Sequence, residues 1–274
     1  MADAPTFHEH LVDGIERIDC TPARRTHATP ILFLHGMWHG AWCWRDWQAL
    51  FAARGWTSRA ISLPGHGGSA KRKSIRFSTM QDYLAVVRAE IAAFETPPIV
   101  VGHSMGGALT QWYLARVADD LPAAVMLASW TAHSTFADGT ALHLKRDPLG
   151  FLAMGLTWSA QPLVRNPRRA ASMLITEGAT LSPQALHARL CEESYLVLSQ
   201  HNPPLWRPRQ GVKTPMLWVA AERDAVITLK GAGASARFYA AEFLTAPGGH
   251  NLMMETGNVA TAERIQAWLA ATGL

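Results

Sequence analysis

No run of about 18 apolar residues occurs anywhere in the 274-residue chain, so no membrane-spanning helix is expected. Cysteine is scarce. The three residues, Cys20, Cys43 and Cys191, are widely spaced, and an odd number cannot close into a complete disulfide framework. The opening stretch MADAPTFHEHLVDG has neither a basic head nor an apolar run, so a secretory signal is not expected and a soluble cytoplasmic protein fits best. Long basic helices and basic–aromatic arrays are also missing. Lys71-Arg72-Lys73 and Arg168-Arg169 are short groups on a net charge of only +4, so they read as solvated surface rather than a nucleic-acid footprint. Repeats and low-complexity tracts are absent.

Apolar residues, in contrast, make up 49% of the chain, enough to fill the core of one large α/β domain or two small ones. They recur as short runs at Pro30–Leu34, Ser58–Leu63, Pro98–Val101, Ala123–Ala128, Pro215–Ala220 and Ala240–Leu244. Continuous runs of this length suit strands buried on both faces, as in a parallel sheet. Between them, Trp42–Arg54, Thr79–Phe94, Met105–Val117, Lys230–Phe238 and Asn258–Ala271 read as helices. This alternation predicts a doubly wound, mostly parallel α/β sheet. It breaks once. Residues 133–210 hold several prolines and short helical pieces but no strand run. The expected division is therefore a core of residues 1–132 and 211–274, with a helical cap at 133–210.

The stretch VVGHSMGGAL, residues 100–109, follows a strand-like run and opens a helix. In that context G-x-S-x-G places a serine at the apex of a sharp turn. Gly102 and Gly106 let strand and helix approach closely, and the helix from Met105 points its positive end at the Ser104 hydroxyl. A serine needs a base, and the base needs an orienting acid. PMLWVAAERDAV supplies Asp224 after one later strand, and AEFLTAPGGHNLM supplies His250 after the next. Glu222 is the competing acid, but it lies nearer the strand end. An oxyanion hole is expected from the N–H groups of Met105 and of Met37, the latter in the ILFLHGMWHG loop, where Gly36 lets the chain turn. His35 and His39 are four apart but have no helix and no third ligand, so no metal is expected.

The set His35-Gly36, LPGHGGS at 63–69, GHSMGG at 102–107, Asp224 and His250 resembles the α/β-hydrolase superfamily from about residue 30 to 270. The resemblance implies an eight-stranded sheet, a Ser-Asp-His triad and no cofactor. HGMWHGAWCW is similar to the group containing plant methylesterases and hydroxynitrile lyases. Those lyases carry a lysine just after the catalytic histidine; here the position is Asn251, which argues against cyanohydrin cleavage. Ser104 at the nucleophile position argues against the dehalogenases and epoxide hydrolases, which use aspartate.

Phe151, Leu152, Met154, Leu156, Trp158, Met173, Leu174 and Trp206 give the cap segment a strongly apolar content. Trp38, Trp130, Phe151, Met154 and Trp158 are the candidate substrate-binding residues. An ester with an apolar or aromatic group, bound without nucleic acid or membrane by a monomer or homodimer, is the expected reading. A lactonase or amidase, a carbon–carbon bond hydrolase, a cofactor-free dioxygenase and an inert ligand receptor share this fold and remain alternatives.

Overall fold

A computed structural model describes residues 4–274; the side chains of residues 140–143 lie outside the description. The chain opens on a hairpin, β1 (Thr6–Val12) and β2 (Ile15–Thr21), paired from Val12↔Ile15 to Thr6↔Thr21. Its two-residue connection is Asp13-Gly14, both at positive φ, 52° and 77°. Aspartate and glycine tolerate that left-handed pair, whose twist matches the strands it joins.

Six further strands follow: β3 (Ile31–Leu34), β4 (Ser58–Ile61), β5 (Ile99–His103), β6 (Ala124–Leu127), β7 (Met216–Ala221) and β8 (Glu242–Ala246). The sheet order is β1-β2-β4-β3-β5-β6-β7-β8. β1 and β2 are antiparallel to their neighbours, and all pairs from β4 to β8 are parallel. Every residue of β3, β5, β6 and β7 is buried, as their continuous apolar runs require. The expected doubly wound sheet is thus present, with the antiparallel hairpin added at one edge.

Crossover helices flank it. They are α1 (Arg45–Ala52), α2 (Met80–Ala92), α3 (Met105–Arg116), α9 (Leu229–Phe238) and α10 (Asn258–Ala271). α1 packs on α10 and α2 on α3. Their ends carry local signals. At the start of α2, Thr79 accepts the Asp82 N–H while Asp82 accepts the Thr79 N–H, so two donors that the helix leaves free are satisfied reciprocally.

Between β6 and β7 the described residues form five α-helices, a short 3-10 turn at Gln161–Val164 and no strand: α4 (Thr135–Arg146), α5 (Pro148–Thr157), α6 (Pro167–Leu174), α7 (Pro183–His187) and α8 (Tyr195–Gln200). A proline at the first helical position opens α5, α6 and α7, preceded by Asp147, Asn166 and Ser182 as side-chain caps. A buried pair ties this segment to the core. His66 Nε2 lies 2.9 Å from Glu193 Oε2, and Tyr83 Oη donates to Glu193 Oε1 at 2.9 Å. Burial is the largest influence on His66 and opposes its charge, but the Glu193 carboxylate and the Cys191 sulfur together offset it and raise the imidazole well above its ordinary range.

Candidate active site

Loops following β3, β5, β7 and β8 meet at the carboxyl edge of the parallel strands, where doubly wound sheets place their sites. Ser104 stands between β5 and α3 with φ 52° and ψ −115°, a strained backbone for a residue with a Cβ. Its surroundings fix that strain. The Ser104 N–H donates to the Leu127 carbonyl at 3.0 Å, and its carbonyl accepts from Ala108 at 3.1 Å and Trp130 at 3.3 Å. A Cβ on Gly106 would stand 2.3 Å from the Leu34 carbonyl oxygen, and one on Gly102 2.5 Å from the Gly106 oxygen. Only glycine lets strand, turn and helix close this tightly.

The Ser104 Oγ lies 2.9 Å from His250 Nε2. On the other side of the ring, Nδ1 lies 2.9 Å from Asp224 Oδ2 and 3.0 Å from Oδ1. Asp224 Oδ1 also accepts the N–H groups of Val226 at 2.7 Å and Ile227 at 3.0 Å. The carboxylate is therefore fixed as an acceptor. His250 Nδ1 carries the proton and Nε2 is left to accept from serine. Glu222 points elsewhere, accepting from Thr245 Oγ1 at 3.2 Å on the surface.

In the loop after β3, the Gly36 carbonyl and the Met37 N–H are the two ends of one peptide. Leu63 N–H donates to His35 Nε2 at 3.0 Å, which places the ring proton on Nδ1, and Nδ1 donates to the Gly36 oxygen at 2.7 Å. His39 Nδ1 donates to the Met37 oxygen at 2.6 Å, and its Nε2 accepts from Asn251 Nδ2 at 3.0 Å. Trp38 sits at φ 64°, and its carbonyl accepts the Cys191 N–H at 2.9 Å. Among the described residues, the N–H groups of Met37 and Met105 have no acceptor. The expected His35/His39 pair thus braces this loop from both sides. Burial lowers both imidazoles, His35 well below its ordinary range and His39 to about 4, so both are neutral near pH 7. His103 is also held neutral by burial and donates Nε2–H to the His250 carbonyl at 3.0 Å.

The model of the alpha/beta hydrolase family matches residues 31–264. The chain belongs to that family. Among curated relatives it is 34% identical to a pFDCC methylesterase of Arabidopsis thaliana over 109 residues, 37% of this chain and 40% of the relative. It is 31% identical to a probable esterase of Oryza sativa subsp. indica over 100 residues, 36% of this chain and 38% of the relative. The aligned segments thus span less than half of those relatives. A solved membrane phospholipase A, described as a bacterial virulence factor, shares the fold at TM-score 0.72 and 18% identity, over 98% of this chain and 87% of that one.

In this hydrolase-family chain, Ser104 and His250 open onto a small cavity of about 50 Å³. Trp38, Trp130, Phe151 and Met154 line it, so four of the five expected binding residues are brought to the site. Trp158 is not. It ends α5 in the left-handed conformation at φ 57°, which turns its indole outward to 52% exposure. Leu152 and Leu156 also face solvent, while Trp206 is buried away from the cavity against Trp112 and His201. Phe136, Leu163, Leu198 and Ile227 line the cavity without having been singled out in the sequence. The lining holds no Asp, Glu, Lys or Arg among the described residues, and Thr135 is its only polar side chain besides Ser104 and His250.

Proposed function

We propose that this chain hydrolyses a carboxylic ester carrying an apolar or aromatic group, through an acyl-enzyme on Ser104. The observation that carries this reading is the Ser104 Oγ–His250 Nε2–Asp224 alignment at hydrogen-bond distances, facing an apolar cavity. His250 Nε2 takes the serine proton as Oγ attacks the carbonyl carbon. Charge passes to the carbonyl oxygen, where the N–H groups of Met37 and Met105 and the amino end of α3 stabilise it. Protonated His250, held by Asp224, then gives its proton to the leaving alcohol. Water enters, His250 accepts its proton, and the acyl group leaves as acid. Nucleophile, base and water suffice, so the proposed reaction uses no cofactor.

In the same reading residues 133–210 act as a cap whose α5 roofs the acyl pocket. The neutral lining favours esters without a second charge, because a carboxylate buried there would have no counter-ion. Asn251 supports ester cleavage over cyanohydrin cleavage, since it stands where the hydroxynitrile lyases carry a lysine and its amide is used to hold His39. A panel of esters, lactones and amides tests the proposal, with a fluorophosphonate as covalent probe. Labelling at Ser104 with ester turnover supports it. A protein that stays unlabelled and leaves every ester intact overturns it.

A further inference from the structure

α5 has two apolar faces and only one of them is covered. Its ten residues, PLGFLAMGLT, include no charged side chain. Gly150 and Met154 are buried, and Phe151 and Met154 reach the cavity. One third to half a turn around the same helix, Leu149, Leu152 and Leu156 are 76, 61 and 74% exposed. Trp158 at its end, 52% exposed, and Leu144 just before it, 49%, extend the same surface. A surface helix of a protein that stays in water carries polar residues on its outer side; an all-apolar helix needs cover on both sides.

Charge identifies the cover. Between Gly139 and Thr176 the only acid is Asp147, against Lys145, Arg146, Arg165, Arg168 and Arg169. That excess equals the +4 of the whole chain, so the remainder is balanced. Arg165 binds Asp147, the cap of α5, and a Cβ on Gly150 would lie 2.8 Å from its guanidinium. Arg169 donates to the Arg146 carbonyl at 3.0 Å. Lys145, Arg146, Arg165 and Arg169 therefore gather at the amino end of the helix whose leucines are bare, with Arg168 beside Arg169 in the chain. A second copy of the chain, pairing this face with itself, would bring those cations together.

We infer that the outer face of α5 docks on an anionic lipid surface. Leu149, Leu152, Leu156 and Trp158 enter the headgroup–acyl boundary, and the neighbouring arginines and lysine meet the acidic headgroups. A peripheral contact of this kind needs no spanning helix, and among the described residues no helix is long and apolar enough to span. The inner side of the docked helix faces the Ser104 cavity, so an apolar ester dissolved in the lipid reaches the site without crossing water.

Co-sedimentation tests this with vesicles of phosphatidylcholine, with and without phosphatidylglycerol as about one third of the lipid. Adsorption is read without turnover, so its failure and a failure of the ester reading are separable. Wild type is expected in the pellet with the anionic vesicles and, to a lesser extent, with the neutral ones. Leu152→Asp/Leu156→Asp should cut the bound fraction about tenfold or more, while a water-soluble short ester is turned over at the wild-type rate and thermal unfolding is unchanged. Arg168→Glu should weaken adsorption to the anionic vesicles only. Wild type that stays in the supernatant, or a dimer seen by light scattering that Leu152→Asp/Leu156→Asp dissociates, would overturn the inference.

Discussion

Asp224 and Glu222 are two residues apart, yet their surroundings separate them. Asp224 takes three hydrogen bonds, from His250, Val226 and Ile227, while Glu222 is exposed beside Thr245. Asp224→Asn should lower turnover by roughly 10² to 10⁴, since the amide cannot hold the imidazole in its tautomer. Glu222→Gln should stay near wild type, and a steady-state comparison of the two variants checks the assignment. The same scale separates amide from side chain in the loop after β3. Met37→Ala keeps the N–H and should remain within about tenfold of wild-type turnover. His39→Phe removes both the Met37 and the Asn251 hydrogen bonds, so the loop can drift. A displacement of about 1 Å at such a donor costs on the order of 10² in rate. The fall should be in kcat, with KM little changed, if His39 positions the loop without touching substrate.

Elements were legible in the sequence where composition and period agreed. Buried parallel strands announce themselves as unbroken apolar runs, and β3 to β7 were visible in this way, while β8, an edge strand with Glu242 and Phe243 exposed, was visible as an overlapping run at Ala240–Leu244. The β1–β2 hairpin was not, because its edge strands alternate with polar residues, as in TFHEHLV. The signal that would have found it is Asp13-Gly14 between two such segments. α5 failed differently. Its apolar content was legible, but a helix apolar all round gives no period, so nothing in the sequence separated Trp158, outside the pocket, from Phe151, inside it. His35 and His39 carried a visible i, i+4 spacing, but their bracing role depends on partners at Leu63 and Asn251, which are distant in the chain. At the elbow the sequence pattern and the packing coincide. Gly106→Ala would push a methyl into the Leu34 carbonyl and should destabilise the protein by about 3 kcal/mol. Urea unfolding of the variant against wild type measures it.

Across the whole molecule, buried histidines set how stability depends on pH. Burial lowers His35 and His103 well below their ordinary value, His39 to about 4 and His201 to about 3. An unfolded chain binds these protons near pH 6.5 and the folded protein does not. Their contribution is therefore complete above pH 6.5 and lost progressively as the pH falls toward 4. His39 alone accounts for on the order of 2 kcal/mol between pH 6.5 and 5. His66 has the opposite sign. Its raised value, due to Glu193 and Cys191, stabilises fully below pH 6.5 and fades as the pH rises above it. Stability should peak near pH 6.5, and the melting temperature at pH 5 should fall by at least roughly 5 °C from that peak. A scan in which the melting temperature rises from pH 6.5 to 5 would contradict this account of the buried rings.

We propose Ser104 as the nucleophile of an ester hydrolase. The most direct measurement is turnover of an apolar short-chain ester by wild type and Ser104→Ala, with circular dichroism to confirm that both are folded. Wild type should hydrolyse the ester, and turnover by the variant should fall about 10³-fold or more. A folded Ser104→Ala protein that keeps a tenth of the wild-type rate would contradict the assignment.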